Sequence, residues 1–349
     1  MKRILALICV LSLTFMCFTA YAGEDTAADA DPIVLKVGSS FNEGSIIADS
    51  LEHMCQLIEE ATNGQITFER YYGGTLYTLP EEFKYLTSGA VDLASPMQGT
   101  ASMYLPDWQI AALGVDAATG VDISNYIANE DETTAPLLQA QAEAAGIHAF
   151  GFNIGDYNVI ACRAEASSIE DLKGRAFGVP AQGAAVYEAF GLNCVTTETA
   201  DAYESLSRGV VDTFVAGISS VCGMKLYESC ETCLILPCTG GTGICSMNLD
   251  TWNSLTSEQQ EIFTQAYNDT IEWMKDRYDN ELMPSYVAEM EEKCSVVTVE
   301  GEELASFMET RVNAGIDSYI AAAETLGCLD EYNMIQETAK VYADSVNNK

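Results

Sequence analysis

Positive charge is scarce in this chain. Its 349 residues carry 16 Lys and Arg against 52 Asp and Glu, a formal net charge of −36. A surface this acidic repels phosphate backbones and anionic headgroups, which excludes nucleic acid and anionic membrane surfaces as partners. Histidine is almost missing: His53 and His148 are the two. One reads as a helix residue and the other as the start of a strand, so both are expected to be structural. No serine sits in a Gly-x-Ser-x-Gly frame and no Cys–His pair is apparent, so the common nucleophilic arrangements are absent. The run TGGTG at 239–243 lacks the Gly-Lys-Ser/Thr ending of a phosphate loop. Nothing here asks for a cofactor or a metal, and a catalytic role is not expected.

Long apolar runs are also missing, apart from one at the start. Lys2 and Arg3 precede ILALICVLSLTFMCF, and Ala20-Tyr21-Ala22 supplies a small-x-small cleavage site. Residues 1–22 therefore read as a signal peptide. Cys17 follows Thr14, Phe15 and Met16, a poor lipidation context, so the mature chain is expected to be free in the periplasm. No later run approaches the roughly 18 residues that a spanning helix needs. Residues 23–32 form an acidic tail, and what remains is long enough for two domains with separate cores.

Cysteine, in contrast, is plentiful at twelve, with Cys9 and Cys17 in the leader. Cys222, Cys230, Cys233, Cys238 and Cys245 cluster in a short stretch. In an oxidising compartment this density predicts at least one disulfide among them. Cys230-x-x-Cys233 has zinc-ligand spacing, but the remaining cysteines are spaced wrongly and no histidine is near.

The patterning alternates strand and helix. IVLKVGSS (33–40) is an apolar strand ending in the polar loop FNEG. Residues 45–61 place Ile46, Ile47, Leu51, Met54, Leu57 and Ile58 at helical spacing. QITFERYYGG is a second strand, and PEEFKYLTSGAVDLASPM is a helix, a turn and a third strand. This rhythm predicts parallel sheet. In SSIEDLKGRAFGVP (167–180), Ser167 and Glu170 suggest a capping box, Ile169 and Leu172 an inward face, Gly174 a left-handed stop, and Ala176–Val179 a short strand before Pro180. Residues 256–283 form one long helix with a Thr256/Gln259 capping box.

Three of these stretches resemble one family. EEATNGQITFERYYGGTLYTLPEEFKYLTSGAVDLASP is similar to its N-terminal signature. SSIEDLKGRAFGVP with AYESLSRGVVD is similar to its second-domain signature, and WNSLTSEQQEIFTQAYNDT to the start of its long helix. The family is that of the extracytoplasmic solute receptors of TRAP transporters, DctP type. The resemblance implies an α/β, periplasmic-binding-protein-like fold of the class II type, with a cleft, crossing strands and a long domain-spanning helix. Domain I is expected over 33–154 plus 246–283, and domain II over 155–245 plus 284–345. The implied function is capture of a small organic solute in the cleft and delivery to the two membrane subunits of a permease, by a monomer. An exported sensor passing its bound state to a signalling partner is the alternative.

Open α/β sheets bind ligands beyond the carboxyl ends of their strands. That rule selects the loops FNEG, PMQG, NIGDYN and FVAGISS, and with them Phe41, Asn42, Glu43, Gln98, Asn153, Asp156, Tyr157, Asn158, Ala216 and Ser219. Gln182, just past Pro180, joins the set. The resemblance also exposes a departure. The family's carboxylate-holding arginine falls at Gly178, a second arginine at Asn158, and an asparagine at Ala216. Gly178 is expected to leave space without charge, unless Arg70, Arg163 or Arg175 enters the cleft.

Overall fold

A computed structural model describes residues 32–111, 120–180, 183–239, 241–326, 329–330, 333–338 and 341. Its strands, in chain order, are β1 (Ile33–Gly38), β2 (Ile66–Tyr71), β3 (Leu93–Ala94), β4 (Ile147–Phe152), β5 (Tyr157–Cys162), β6 (Ala176–Val179), β7 (Asn193–Thr196), β8 (Thr213–Gly217), β9 (Thr232–Thr239), β10 (Ile244–Asn248) and β11 (Ser295–Thr298). They form two sheets, in the orders β2-β1-β3-β10-β4 and β11-β9-β5-β8-β6-β7. In the first, β1 runs parallel to β2 and β3, while β10 is antiparallel to β3 and β4. In the second, β5 is antiparallel to β8 and β9, and β6 is parallel to β7 and β8. The parallel pairs require helical crossovers, which is the pattern the alternation predicted.

Each sheet is covered by its own apolar packing. The helix Ile46–Ala61 starts where Ser45 Oγ accepts from Ala48 N. It turns Ile46, Ile47, Leu51, Met54 and Ile58 onto the first sheet. The helix Ser257–Arg277 opens with the expected capping box: Thr256 Oγ1 accepts from Gln259 N, and Gln259 Oε1 from Thr256 N. Its Phe263, Tyr267, Ile271 and Met274 pack on the first core. A π-helical turn, Tyr278–Leu282, then leads into the helix Met283–Glu291, whose Met290 belongs to the second sheet's packing. The helix Gly301–Leu326 covers the other face of that sheet through Phe307, while Leu329 and Ile335 return to the first core.

Two local expectations need correcting. The turn before β6 is a 3-10 turn, Glu170–Leu172, and its reciprocal cap is Ser168 with Asp171, not Ser167 with Glu170. Ile169 and Leu172 are buried and Gly174 is left-handed (φ 82°), as the pattern required. The five clustered cysteines are free thiols. Cys233 and Cys238 pack on opposite faces of β9 and Cys245 lies in the first core against Met54 Sδ. Cys222 and Cys230 reach the carbonyls of Tyr286 and Leu226. Strand alternation separates residues that are near in sequence.

Gly178 also differs from expectation. It stands opposite Phe214 in the β6–β8 register. A Cβ there would lie 2.9 Å from the Phe214 ring and 2.9 Å from Thr213 O. The position holds no free space: a buried phenylalanine fills it. Neighbouring Phe177 and Val179 pack on the opposite face. Substituting Gly178→Ala should therefore overpack the sheet and lower stability by about 1–3 kcal/mol, read as a lower urea midpoint. An unchanged midpoint would contradict the packing.

Beneath the loop that follows β1 lies a carboxyl group removed from water. Glu82 is 0% exposed. Tyr77 OH donates to its Oε1 and Ser40 Oγ to its Oε2, each at 3.3 Å. Gly38 makes this possible, because any side chain there would collide with the Tyr77 ring. Among the described residues no cation pairs with Glu82, and burial raises its pKa from 4.5 to about 7. The folded state thus holds a proton that the unfolded chain releases at lower pH. Stability from this group is complete below about pH 4.5 and is lost as pH rises to about 7, by about 3 kcal/mol in total. Glu82→Gln should remove that loss. Urea titrations at pH 5 and pH 8 should show the variant gaining on the parent as pH rises, and parallel pH profiles would refute the assignment.

Candidate functional site

The chain leaves the first sheet at the end of β4 and enters the second at β5. It returns between β9 and β10. The two crossing segments are hydrogen-bonded to each other. Asn153 N donates to Gly243 O at 2.9 Å, and the Thr242 hydroxyl donates to Asn153 O. Met97, just past β3, bridges to Gly243, and Gln98 N donates to Thr242 O at 3.0 Å. The register Asn158↔Gly217 and Tyr157↔Thr239 brings the ends of β8 and β9 to the same edge. The loops after β1, β3 and β8 and both crossings therefore gather where the two sheets meet.

Several predicted residues turn out to be struts. Asn153 is 2% exposed and its amide donates to Ser95 Oγ at 2.7 Å. Asp156 gives up both carboxylate oxygens. Oδ2 accepts from Ser219 N (2.9 Å) and Ser219 Oγ (2.5 Å), and Oδ1 accepts from Tyr278 OH (3.0 Å). Burial raises the Asp156 pKa, and these donors oppose that rise. Tyr278 OH also accepts from Tyr157 N at 2.8 Å, while the Tyr157 ring meets the Tyr278 ring edge-on. Asn153, Asp156, Tyr157 and Ser219 thus hold the crossing together, and both carboxylate oxygens of Asp156 are engaged within the protein.

Other predicted residues keep unused polar capacity. Gln98 Oε1 is buried and accepts no hydrogen bond from the described residues. Asn158 is 7% exposed, and its amide makes a long 4.0 Å contact to Cys238 Sγ. Ala216 is half-buried and offers methyl surface on the face opposite Asn158. Gly178, Asn158 and Ala216 were expected to line one cavity, but they divide between two sheet faces. Gln182 lies outside the described residues.

The loop after β1 is built by local bonds. Ser39 Oγ accepts from Phe41 N, and Phe41 O from Gly73 N. Phe41 lies half-buried against the first core, and Asn42 O accepts from Ser45 N. Glu43 stays exposed and helps line a cavity of about 330 Å³ with Asp49, Glu52, Arg70 and Tyr72. Arg70 is paired there with Glu52 (2.7 Å) and Glu59 (3.0 Å). Arg163 faces Asp212, and Arg175 donates to Ala164 O and Glu165 O. Each of the three arginines expected as a substitute clamp already has partners.

Tyr278, Ser95 and Thr242 were not singled out in the sequence. Tyr278 had a signal: it continues the apolar face of Phe263, Tyr267, Ile271 and Met274 by one more turn. Both histidines are structural, as expected. His148 stacks on Trp252 at 3.7 Å and burial lowers its pKa to about 4, while His53 stacks on Trp273.

Known proteins share this arrangement. The protein YiiZ of Salmonella typhimurium is 24% identical over 249 residues, covering 69% of this chain and 74% of its own. A TRAP periplasmic solute-binding protein from Ochrobactrum anthropi, with its C-terminus in the ligand-binding pocket, superposes with a TM-score of 0.75 at 19% identity, over 91% of this chain and 98% of that one. One from Sulfitobacter, with bound β-D-galacturonate, gives 0.69 at 20% identity over 87% and 99%. These likenesses establish the two-domain fold. The family model DctP, bacterial extracellular solute-binding protein family 7, matches residues 37–318, and the chain belongs to that family.

Proposed function

We propose that this protein is the extracytoplasmic solute receptor of a TRAP-type secondary transporter. It captures a small organic solute between its two domains and presents it to the membrane subunits of the permease, as a monomer. Residues 1–22 direct export and are removed, and the acidic tail 23–32 precedes the fold. Domain I spans 33–154 plus 246–283, and domain II spans 155–245 plus 284–326, while Leu329 and Ile335, inside the 284–345 segment first expected to complete domain II, pack back on domain I. The observation that carries this reading is the convergence of strand ends from both sheets on the two crossing segments. The family match supports it. A hinge at that place lets one domain close on the other around a ligand.

The solute class follows from the polar groups on offer. Gln98 and Asn158 supply amides, Phe41 and Ala216 apolar surface, and Asn42 and Glu43 the rim. Asn153, Asp156, Tyr157 and Ser219 hold the frame. No arginine stands at Gly178 or Asn158, and Arg70, Arg163 and Arg175 are engaged elsewhere. A dicarboxylate buried without cationic partners pays a large desolvation penalty. The preferred solute is neutral, amine-bearing, or a larger monoacid held by amide and apolar contacts. Galacturonate, bound by the Sulfitobacter protein, belongs to that last class.

Calorimetry with succinate, malate, galacturonate, and neutral and amine-bearing solutes tests the class. Succinate and malate should bind at least tenfold more weakly than the best solute. Gln98→Ala and Asn158→Ala should each weaken that solute by about tenfold, the usual cost of a buried hydrogen bond. Micromolar succinate binding that is lost in Arg70→Ala, Arg163→Ala or Arg175→Ala would overturn the assignment. Solution scattering tests the receptor role itself: the bound solute should reduce the radius of gyration, because closure supplies contacts that the open form lacks. Tight binding without compaction would count against it.

A further inference from the structure

We propose that Cys233 and Cys294 form a redox-active dithiol that closes to a disulfide within the second sheet. The two sulfurs lie 3.6 Å apart although 61 positions separate them in sequence. The geometry comes from parallel pairing. Val296 is the partner of Cys233 in the β9–β11 register. Cys294, two residues earlier, shares the face of Val296 and so leans over the Cys233 side chain. Cys294 is held from the other side as well: its N and its Sγ both approach Met290 O, the last turn of the helix Met283–Glu291. Neither thiol therefore has to be brought in from a distance.

The pair is also chemically unequal. Cys233 is fully buried. Cys294 is half-exposed, and its hydrogen bond with Cys233 holds its thiol below the ordinary range. Cys230, the other half of the Cys-x-x-Cys spacing, reaches Leu226 O at 3.2 Å, and burial drives its thiol upward. Cys162 approaches Ile160 O and is likewise pushed up, to about 12. Thiolate character and access together select the attacking group, and both select Cys294.

The oxidant is an organic disulfide, of the kind an oxidising exported compartment supplies. The Cys294 thiolate attacks one sulfur of that disulfide, forming a mixed disulfide and releasing one thiolate, which takes a proton from water. Cys233 then attacks the Cys294 sulfur and expels the second thiolate, which takes up the proton that Cys233 gives away. Two protein thiols are oxidised and one disulfide is reduced to two thiols. The new bond ties β11 and the end of the helix Met283–Glu291 to β9. All three lie on the second sheet's side of the hinge, so the bond restricts the unfolded chain without locking the domains.

The test uses the full chain and oxidised glutathione. Peptide mapping without reduction should recover a Cys233–Cys294 cross-link. Oxidation should raise the unfolding midpoint by about 5 °C, and neither Cys233→Ser nor Cys294→Ser should show that rise. Cys233→Ser should instead trap a glutathione adduct on Cys294, a readout that does not need the bridge to form. Solute affinity, where a solute is known, should be the same in oxidised and reduced protein. A bridge using Cys230 or Cys162, or thiols that all remain alkylatable after native oxidation, would overturn the proposal.

Discussion

The carboxylate of Asp156 is the point on which the two halves of the molecule depend. It sits between β4 of one sheet and β5 of the other, and it accepts hydrogen bonds from Ser219, at the end of β8, and from Tyr278, on the turn that ends the long helix. One half-buried acceptor therefore joins three segments from different parts of the chain. Tyr278 extends the tie to Tyr157 N, so backbone and side chains are satisfied together. Charge-assisted bonds of this kind are among the stronger ones in a protein. The π-helical turn that carries Tyr278 places a local irregularity where the helix leaves the first core for the second. On either side of this point each sheet has its own apolar packing.

The same economy governs charge. The chain is strongly acidic, and several of its few cations are used for structure. Arg70 braces Glu52 and Glu59, Arg277 joins the long helix to Asp49, and Lys275 joins it to Asp122. Arg163 faces Asp212, and Arg175 donates to Ala164 O and Glu165 O. At the meeting edge of the sheets lie the Gln98 amide and the half-buried Phe41 ring, and Gln98 Oε1 is buried there without a hydrogen-bond partner among the described residues. Glu82, neutral at moderate pH and hidden under the loop after β1, adds a titratable support to that surface.

Local signals in the chain decided a good deal. Helical spacing from Ile46 to Ile58, the Thr256/Gln259 capping box, the strand runs and the left-handed Gly174 are all set by interactions within a few residues, and all reappear in the structure. The same holds for the three signatures whose order along the chain pointed to the family. What could not be read were side-chain directions and distant partners. Gly178 looked like an open position, yet its space belongs to Phe214 on the next strand. Asp156 was selected as a residue of a strand-end loop, yet Ser219 and Tyr278 occupy its carboxylate. The clustered cysteines looked like partners, yet strand alternation points Cys233 and Cys238 to opposite faces, and the parallel register of β11 brings Cys294 to Cys233 instead. Sequence by itself determined which segments are helices and strands and in what order, because those depend on short-range periodicity and capping. Only the tertiary structure decided which polar groups are spent on the frame and which are left for a ligand, because that depends on contacts between residues tens to hundreds of positions apart.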